Sequence, residues 1–393
     1  MTGRIYYFNP AHDMALANNT PFYMAPDEIV RMTYDLAVLP AWYAREGKVK
    51  IDEWKQVELL RSQIGCAGLF PDVQWTLEWE SGEYMPWGWD PALLRTLRLA
   101  GVSEDCLLTD PQMERIRGLS GRQHCVEMLE LLGKTPGVCG EACVCGSLQE
   151  VRYFMSEVGE VVLKSPWSGS GRGLLKVSPA TWTDSVEGWV RRVLRTQGGI
   201  MAEPLYEKVR DFAMEFFADG AGGLFFLGYS LFDTDLHGNY KENRLLSDDR
   251  IVRILSAYVP AGLLEQVRSE LMAGLSSLLK NDYKGYLGVD MMICRVDGTF
   301  RIHPCVEINL RMNMGIVAHM LCSSLVHPRS EGVFRLEHYS REREALEASQ
   351  ALRAASPLRV SDGRVLSGYF PLNGLEPGSR YHAYIEVEDN LCG

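Results

Sequence analysis

Positive charge is scarce in this sequence. Its 393 residues include only 40 Lys and Arg against 51 Asp and Glu, a formal net charge of −11. So acidic a chain repels a phosphate backbone unless its bases gather in one cleft, which excludes a generic nucleic-acid-binding role. Long apolar runs are also missing: none approaches the ~18 residues of a membrane-spanning helix. The opening MTGRIYYFNPAHD has no basic segment followed by an apolar one, so no secretory leader is expected. Ten cysteines are scattered without a small disulfide framework, which points to the reducing cytoplasm. Neither H-E-x-x-H nor G-x-S-x-G occurs, which removes two hydrolase readings. The chain is 46% hydrophobic and 23% charged. That suffices for two or three cored domains at about 100–200 residues each.

Along the chain, residues 4–8 read as a strand that stops at Asn9-Pro10. Helical text runs to about 35, and a short apolar run, Leu36–Leu39, is halted by Pro40. Further helices are expected over 53–65, 91–99 and 111–132, with irregular chain at 68–92. Residues 160–164 and 174–177 read as strands joined by a Gly/Ser loop, and a helix follows at 181–195. Residues 200–232 are strand-rich and 262–280 helical; 286–310 form two strands around Asp297-Gly298; a charge-mixed helix is expected at 336–354, with two late strands. The pattern is α+β, not one doubly wound sheet.

Gly133-Lys134-Thr135 is not a P-loop, because Met128 stands where that motif needs glycine and the tripeptide ends a helix. Ser168-Gly169-Ser170-Gly171-Arg172-Gly173 frees consecutive backbone N–H groups to approach an anion. A strand follows it where a dinucleotide fold needs a helix. It reads as a flap over phosphates or as a plain hairpin, and it lacks the H-R-D and D-F-G of kinases. The Asp297-Gly298 turn pairs Val296 with Thr299. In that register Asp290 faces Cys305 and lies diagonal to Glu307, while a bulge at Pro304 would shift the register by one residue. Asp290, Glu307 and Asn309 are oxygen donors suited to a hard cation. Cys139, Cys143 and Cys145 lack a second cluster, so zinc is not expected. In Asn9-Pro10-Ala11-His12-Asp13, His12 and Asp13 are either substrate contacts or a turn histidine and a cap.

In order, Val161-Val162-Leu163-Lys164, the loop 168–173, Met201-Ala202-Glu203-Pro204-Leu205-Tyr206, and Asp290 with Glu307-Ile308-Asn309 resemble the ATP-grasp superfamily over about residues 113–320. The resemblance implies an ATP-grasp fold, two α+β lobes gripping ATP, behind an N-terminal α/β domain. The expected divisions are 1–112, 113–200 (small lobe), 201–330 (large lobe) and a C-terminal extension, 331–393. By the same resemblance Lys164 contacts phosphates under a flap that includes Ser168, Gly169, Ser170 and Gly171. Glu203, Leu205 and Tyr206 hold adenine, and Asp211 the ribose. Asp290, Glu307 and Asn309 hold one or two Mg²⁺, with Mn²⁺ as a substitute. The segment 242–248 looks like one in D-alanine–D-alanine ligase-type members, with Arg244 in the place of a γ-phosphate lysine; Arg122 replaces an earlier phosphate lysine, and both keep the charge but change donor geometry. Arg311, in Asn309-Leu310-Arg311, is placed for an acyl phosphate or carboxylate.

The implied activity is ATP-dependent joining of a carboxylate, free or in a peptide, to an amine through an acyl phosphate. A small-molecule kinase and a non-catalytic nucleotide-binding protein are the alternatives. No nucleic acid or membrane partner is expected, and a homodimer is left open.

Overall fold

The N-terminal strand forms where the sequence places it. In the computed structural model, which describes residues 3–44, 46–168, 173–234 and 240–389, it is central to a parallel sheet. There β1 (Arg4–Tyr7) lies between β2 (Lys48–Lys50) and β4 (Glu83–Pro86), with β3 (Gln74–Thr76) outside β2. Helices α1 (His12–Asn18), α2 (Asp27–Asp35), α3 (Trp54–Ile64) and α4 (Pro91–Leu99) belong to this unit. Residues 68–92 are not wholly irregular, since β3 and β4 fall within them. Strands of three and four residues are too short to display a period, and pairing beside β1 and β2 fixes them.

The helical stretch expected at 111–132 is two helices, α5 (Asp110–Leu119) and α6 (Gln123–Leu132). Thr109 caps the first, and the break at Ser120-Gly121-Arg122 sets Arg122 at the joint. A four-stranded antiparallel sheet follows, ordered β5 (Cys143–Cys145), β8 (Ile200–Pro204), β6 (Val161–Lys164), β7 (Leu174–Val177). Two amphipathic helices, α7 (Leu148–Val158) and α8 (Asp184–Gln197), cover it and share a core of Val151, Val161, Leu163, Val190 and Ile200.

The largest sheet is antiparallel and nine-stranded. It contains β9 (Glu207–Asp219), β10 (Leu224–Thr234), β11 (Tyr240–Leu245), β12 (Lys284–Val296), β13 (Thr299–Asn309), β14 (Ser330–His338), β15 (Arg359–Ser361), β16 (Arg364–Pro371) and β17 (Tyr381–Asp389). Their spatial order is β13-β12-β9-β10-β11-β14-β17-β16-β15, so the strands after residue 330 continue the sheet. Phe212, Met214, Val289 and Ile308 on one face pack with α6, α9 (Asp248–Leu255) and α10 (Ala261–Leu279). A second cluster joins α11 (Met314–Ser324) to Phe8, Leu39 and Trp42 of the N-terminal unit and to Phe334, Phe370 and Ile385. The helix expected at 336–354 is shorter: α12 spans Glu344–Ala355, because β14 runs to His338 with a partner strand on either side.

Candidate active site

Lys164 is the last residue of β6, and β6 pairs with β8 so that Lys164 and Glu203 meet beside the flap. Only 5% and 4% exposed, they form an ion pair of 2.6 Å, and Lys164 Nζ also donates to the Val306 carbonyl at 3.0 Å. Burial pushes the Glu203 carboxyl upward, against the pull of Lys164. One β-strand therefore delivers the lysine to the backbone beside Glu307. Tyr206 packs edge-on against His303, ring centroids 5.5 Å apart, and burial raises its phenol to about 12. Leu205 is partly exposed. His303 escapes sequence reasoning, because a histidine in mid-strand carries no motif. It is fully buried, 3.9 Å from the Glu203 carboxylate, and burial followed by the nearby Lys164 lowers it to about 3.

Across β12 and β13 the register differs from the one expected. Met292 pairs with His303 as the turn dictates, but Asp290 pairs with Glu307. Between these pairs stand one residue of β12 and the three residues 304–306 of β13, a bulge at Pro304 twice as large as anticipated. The two carboxylates are thus directly opposite instead of diagonal. Asn309 Nδ2 donates to Asp290 Oδ2 at 2.9 Å, so its amide oxygen stays available. The Asp290 carboxyl is pushed up to about 8, first by burial, then by Glu307 and by Glu215. Glu215, also missed from sequence, is buried on the neighbouring strand β9 and accepts from Ser230 at 2.8 Å and Asn313 at 2.9 Å; burial lifts it to about 7.

Arg122 closes the arrangement. Its guanidinium donates to Glu307 Oε1 at 2.5 Å, to the Ser165 carbonyl at 2.8 Å and to Ser168 Oγ at 2.5 Å. It therefore ties the flap base to the acidic strand. Gly169, Ser170 and Gly171 lie outside the described residues. The facing carboxylates of Asp290 and Glu307, with the Asn309 amide oxygen, fit a hard divalent cation that takes its remaining oxygens from phosphate or water. Among the described residues no three His, Cys, Asp or Glu side chains gather into a metal-binding cluster. Cys143 and Cys145 lie 3.5 Å apart at sulfur, with no third such ligand among the described residues.

Arg311 turns toward the N-terminal unit. Its Nε and Nη2 grip Asp13 at 2.9 to 3.0 Å, and Nη1 donates to the Met312 carbonyl at 3.1 Å. Burial works to raise the Asp13 carboxyl, but Arg311 and His12 outweigh it and hold it well below the usual range. One pocket is lined by His12, Asp13, Arg122, Ser168, Glu307 and Asn309 among others. Of the expected site residues, Arg122, Ser168, Glu307 and Asn309 line it. Asp290 reaches this group through Asn309 and Glu307, Lys164 through the Val306 carbonyl, and Arg311 through Asp13. Asp211 sits further along β9, where it accepts from Lys208 at 2.5 Å and Thr234 at 2.9 Å. Arg244 is not drawn in: it is 42% exposed, and its ion pair among the described residues is with Glu242 at 3.9 Å.

No protein-family model and no curated protein matches the sequence. Solved structures do match. A biotin carboxylase–β,γ-ATP complex from Campylobacter jejuni is 11% identical over 99% of this chain and 88% of that one, with a TM-score of 0.51. The biotin carboxylase domain of Hydrogenobacter thermophilus 2-oxoglutarate carboxylase, solved with MgADP, ADP and bicarbonate, is 11% identical over 98% and 86%, with a TM-score of 0.52. An N5-carboxyaminoimidazole synthetase from Staphylococcus aureus with ADP is 12% identical over 99% and 94%, with a TM-score of 0.48. At such identities the likeness is one of fold.

Proposed function

This chain has the ATP-grasp fold, and we propose that it uses it as an ATP- and Mg²⁺-dependent ligase joining a carboxylate to an amine. The observation that carries the reading is the convergence of Lys164 and Arg122 with Asp290, Glu307 and Asn309 at the flap base. In this reading Lys164 and Arg122 bind phosphate oxygens beneath the loop 168–173. The chain near Glu203, Leu205 and Tyr206 receives the adenine, with Asp211 near the ribose.

Asp290, Glu307 and Asn309 would hold Mg²⁺, which when bound supplies charge neutralisation at the phosphates. The carboxylate oxygen attacks the γ-phosphorus and ADP leaves, giving an acyl phosphate. The amine then attacks the acyl carbon and phosphate departs. The protein supplies position and positive charge, not covalent chemistry. Arg311, already fixed by Asp13, presents its remaining N–H groups to the acyl phosphate. Arg244 would have to leave Glu242 to take part, and we omit it from the set.

The test is phosphate release from Mg·ATP over pools of amino acids, peptides and other carboxylates. Release that requires both a carboxylate and an amine supports the ligase. A phosphorylated product without free phosphate would replace it with a kinase.

A further inference from the structure

The motif Asn9-Pro10-Ala11-His12-Asp13 is given no role in the reading above, yet it is held firmly. Asn9 Nδ2 donates to the Gly88 carbonyl at 2.7 Å and to Asp90 Oδ2 at 3.0 Å, so the turn after β1 is stitched to the one after β4. Gly88 is the floor under the His12 ring: a Cβ there would lie 2.3 Å from the imidazole. His12 is 2% exposed.

Its Nδ1 lies 3.2 Å from Asp13 Oδ1. A carboxylate held ionised by Arg311 can only accept, so Nδ1 carries the proton and Nε2 is the basic nitrogen. That Nε2 is buried without a hydrogen-bond partner among the described residues. The same is true of Arg122 Nε, and both side chains line the pocket that also holds Glu307 and Asn309. Buried polar atoms are normally satisfied, and two unsatisfied ones on one pocket indicate a polar ligand.

Resting on the ligase reading, we propose that His12, oriented by Asp13, is the general base that takes the proton from the acceptor amine. The arrangement is a base whose tautomer is set by a partly buried carboxylate. His12 Nε2 removes one proton from the incoming ammonium. The freed nitrogen lone pair forms the bond to the acyl carbon while the carbon–oxygen bond to phosphate breaks. Its electron pair leaves with phosphate, which also takes the second amine proton. Asp13 is the anionic group on the Nδ1 side of the ring and stabilises the imidazolium; Asp90, whose carboxyl burial pushes upward, also faces the ring. Arg311 balances Asp13.

The test separates acyl-phosphate formation from amine attack. Hydroxylamine, unprotonated at neutral pH, captures an acyl phosphate without a base. His12→Ala and His12→Gln are compared with wild type, using Mg·ATP and a mixture of the twenty common amino acids as carboxylate and amine. Both variants should form hydroxamate within a few-fold of wild type, while amine-dependent product falls at least about 100-fold. Equal loss of both products, or loss of neither, would overturn the assignment. A wild-type protein that makes no hydroxamate from amino acids, peptides or other carboxylates would overturn the ligase reading itself, and this inference with it.

Discussion

Asp290 and Glu307 face each other in register across β12 and β13, and desolvation, followed by Glu307 and Glu215, pushes the Asp290 carboxyl up to about 8. With the unfolded value near 3.8 and the folded one about 8, folding takes up a proton that the unfolded chain releases. The stability from this group is therefore complete below the unfolded value and is lost as pH rises through the folded one. Glu215, lifted to about 7, acts in the same sense. The metal-free protein should lose Tm between about pH 5 and about pH 8.5, with a slope of at most ~1.4 kcal/mol per pH unit from each group. Asp290→Asn should flatten the profile, and Mg²⁺ should raise Tm more at the alkaline end. An unchanged slope in Asp290→Asn, read by thermal melts, would contradict the account.

Lys164 and Glu203 are partners out of water. Lys164→Met leaves a carboxylate buried without its counter-charge, so urea unfolding should show a loss of about 3–5 kcal/mol. Adding Glu203→Gln should recover most of that stability. Nucleotide binding, followed by calorimetry, should be absent in both variants.

Arg122 uses its fork to hold Glu307 and Ser168 together. Arg122→Lys keeps the charge but cannot bridge both, so ATP affinity should fall about tenfold or more while the fold is retained. Equal affinity would show that the charge alone matters.

Gly288 makes room for a buried cluster. A Cβ at this position would lie 2.3 Å from both Glu215 Oε2 and Asn313 Nδ2. Gly288→Ala should cost about 1–3 kcal/mol through overpacking, and activity should drop with it because Asp290 is two residues away.

Much of this was legible in the residues. The strand ending in Lys164 and the Asp297-Gly298 hairpin are local patterns, and local patterns survive folding. The pairing of Asp290 with Glu307 was only partly legible, because the turn fixes register up to His303 and then Pro304 breaks the ladder. Glu215 and His303 left no trace, since each is an ordinary letter in a strand made special by what packs around it. His12 and Asp13 were visible as a motif, but their link to Arg311 spans 298 positions and no spacing rule reaches so far.

One cluster has a temporal consequence. Phe8, Leu39 and Trp42 are sealed by Phe334, Phe370 and Ile385, and Trp42 Nε1 donates to the Leu372 carbonyl at 2.7 Å. Asn373 and Asp35 add reciprocal ties between the same two ends of the chain. A ribosome adds about 5–20 residues per second. The aromatic face of the first sheet therefore has no cover until residues 334–385 have been made. A break in synthesis near residue 330 should leave this apolar face without its cover.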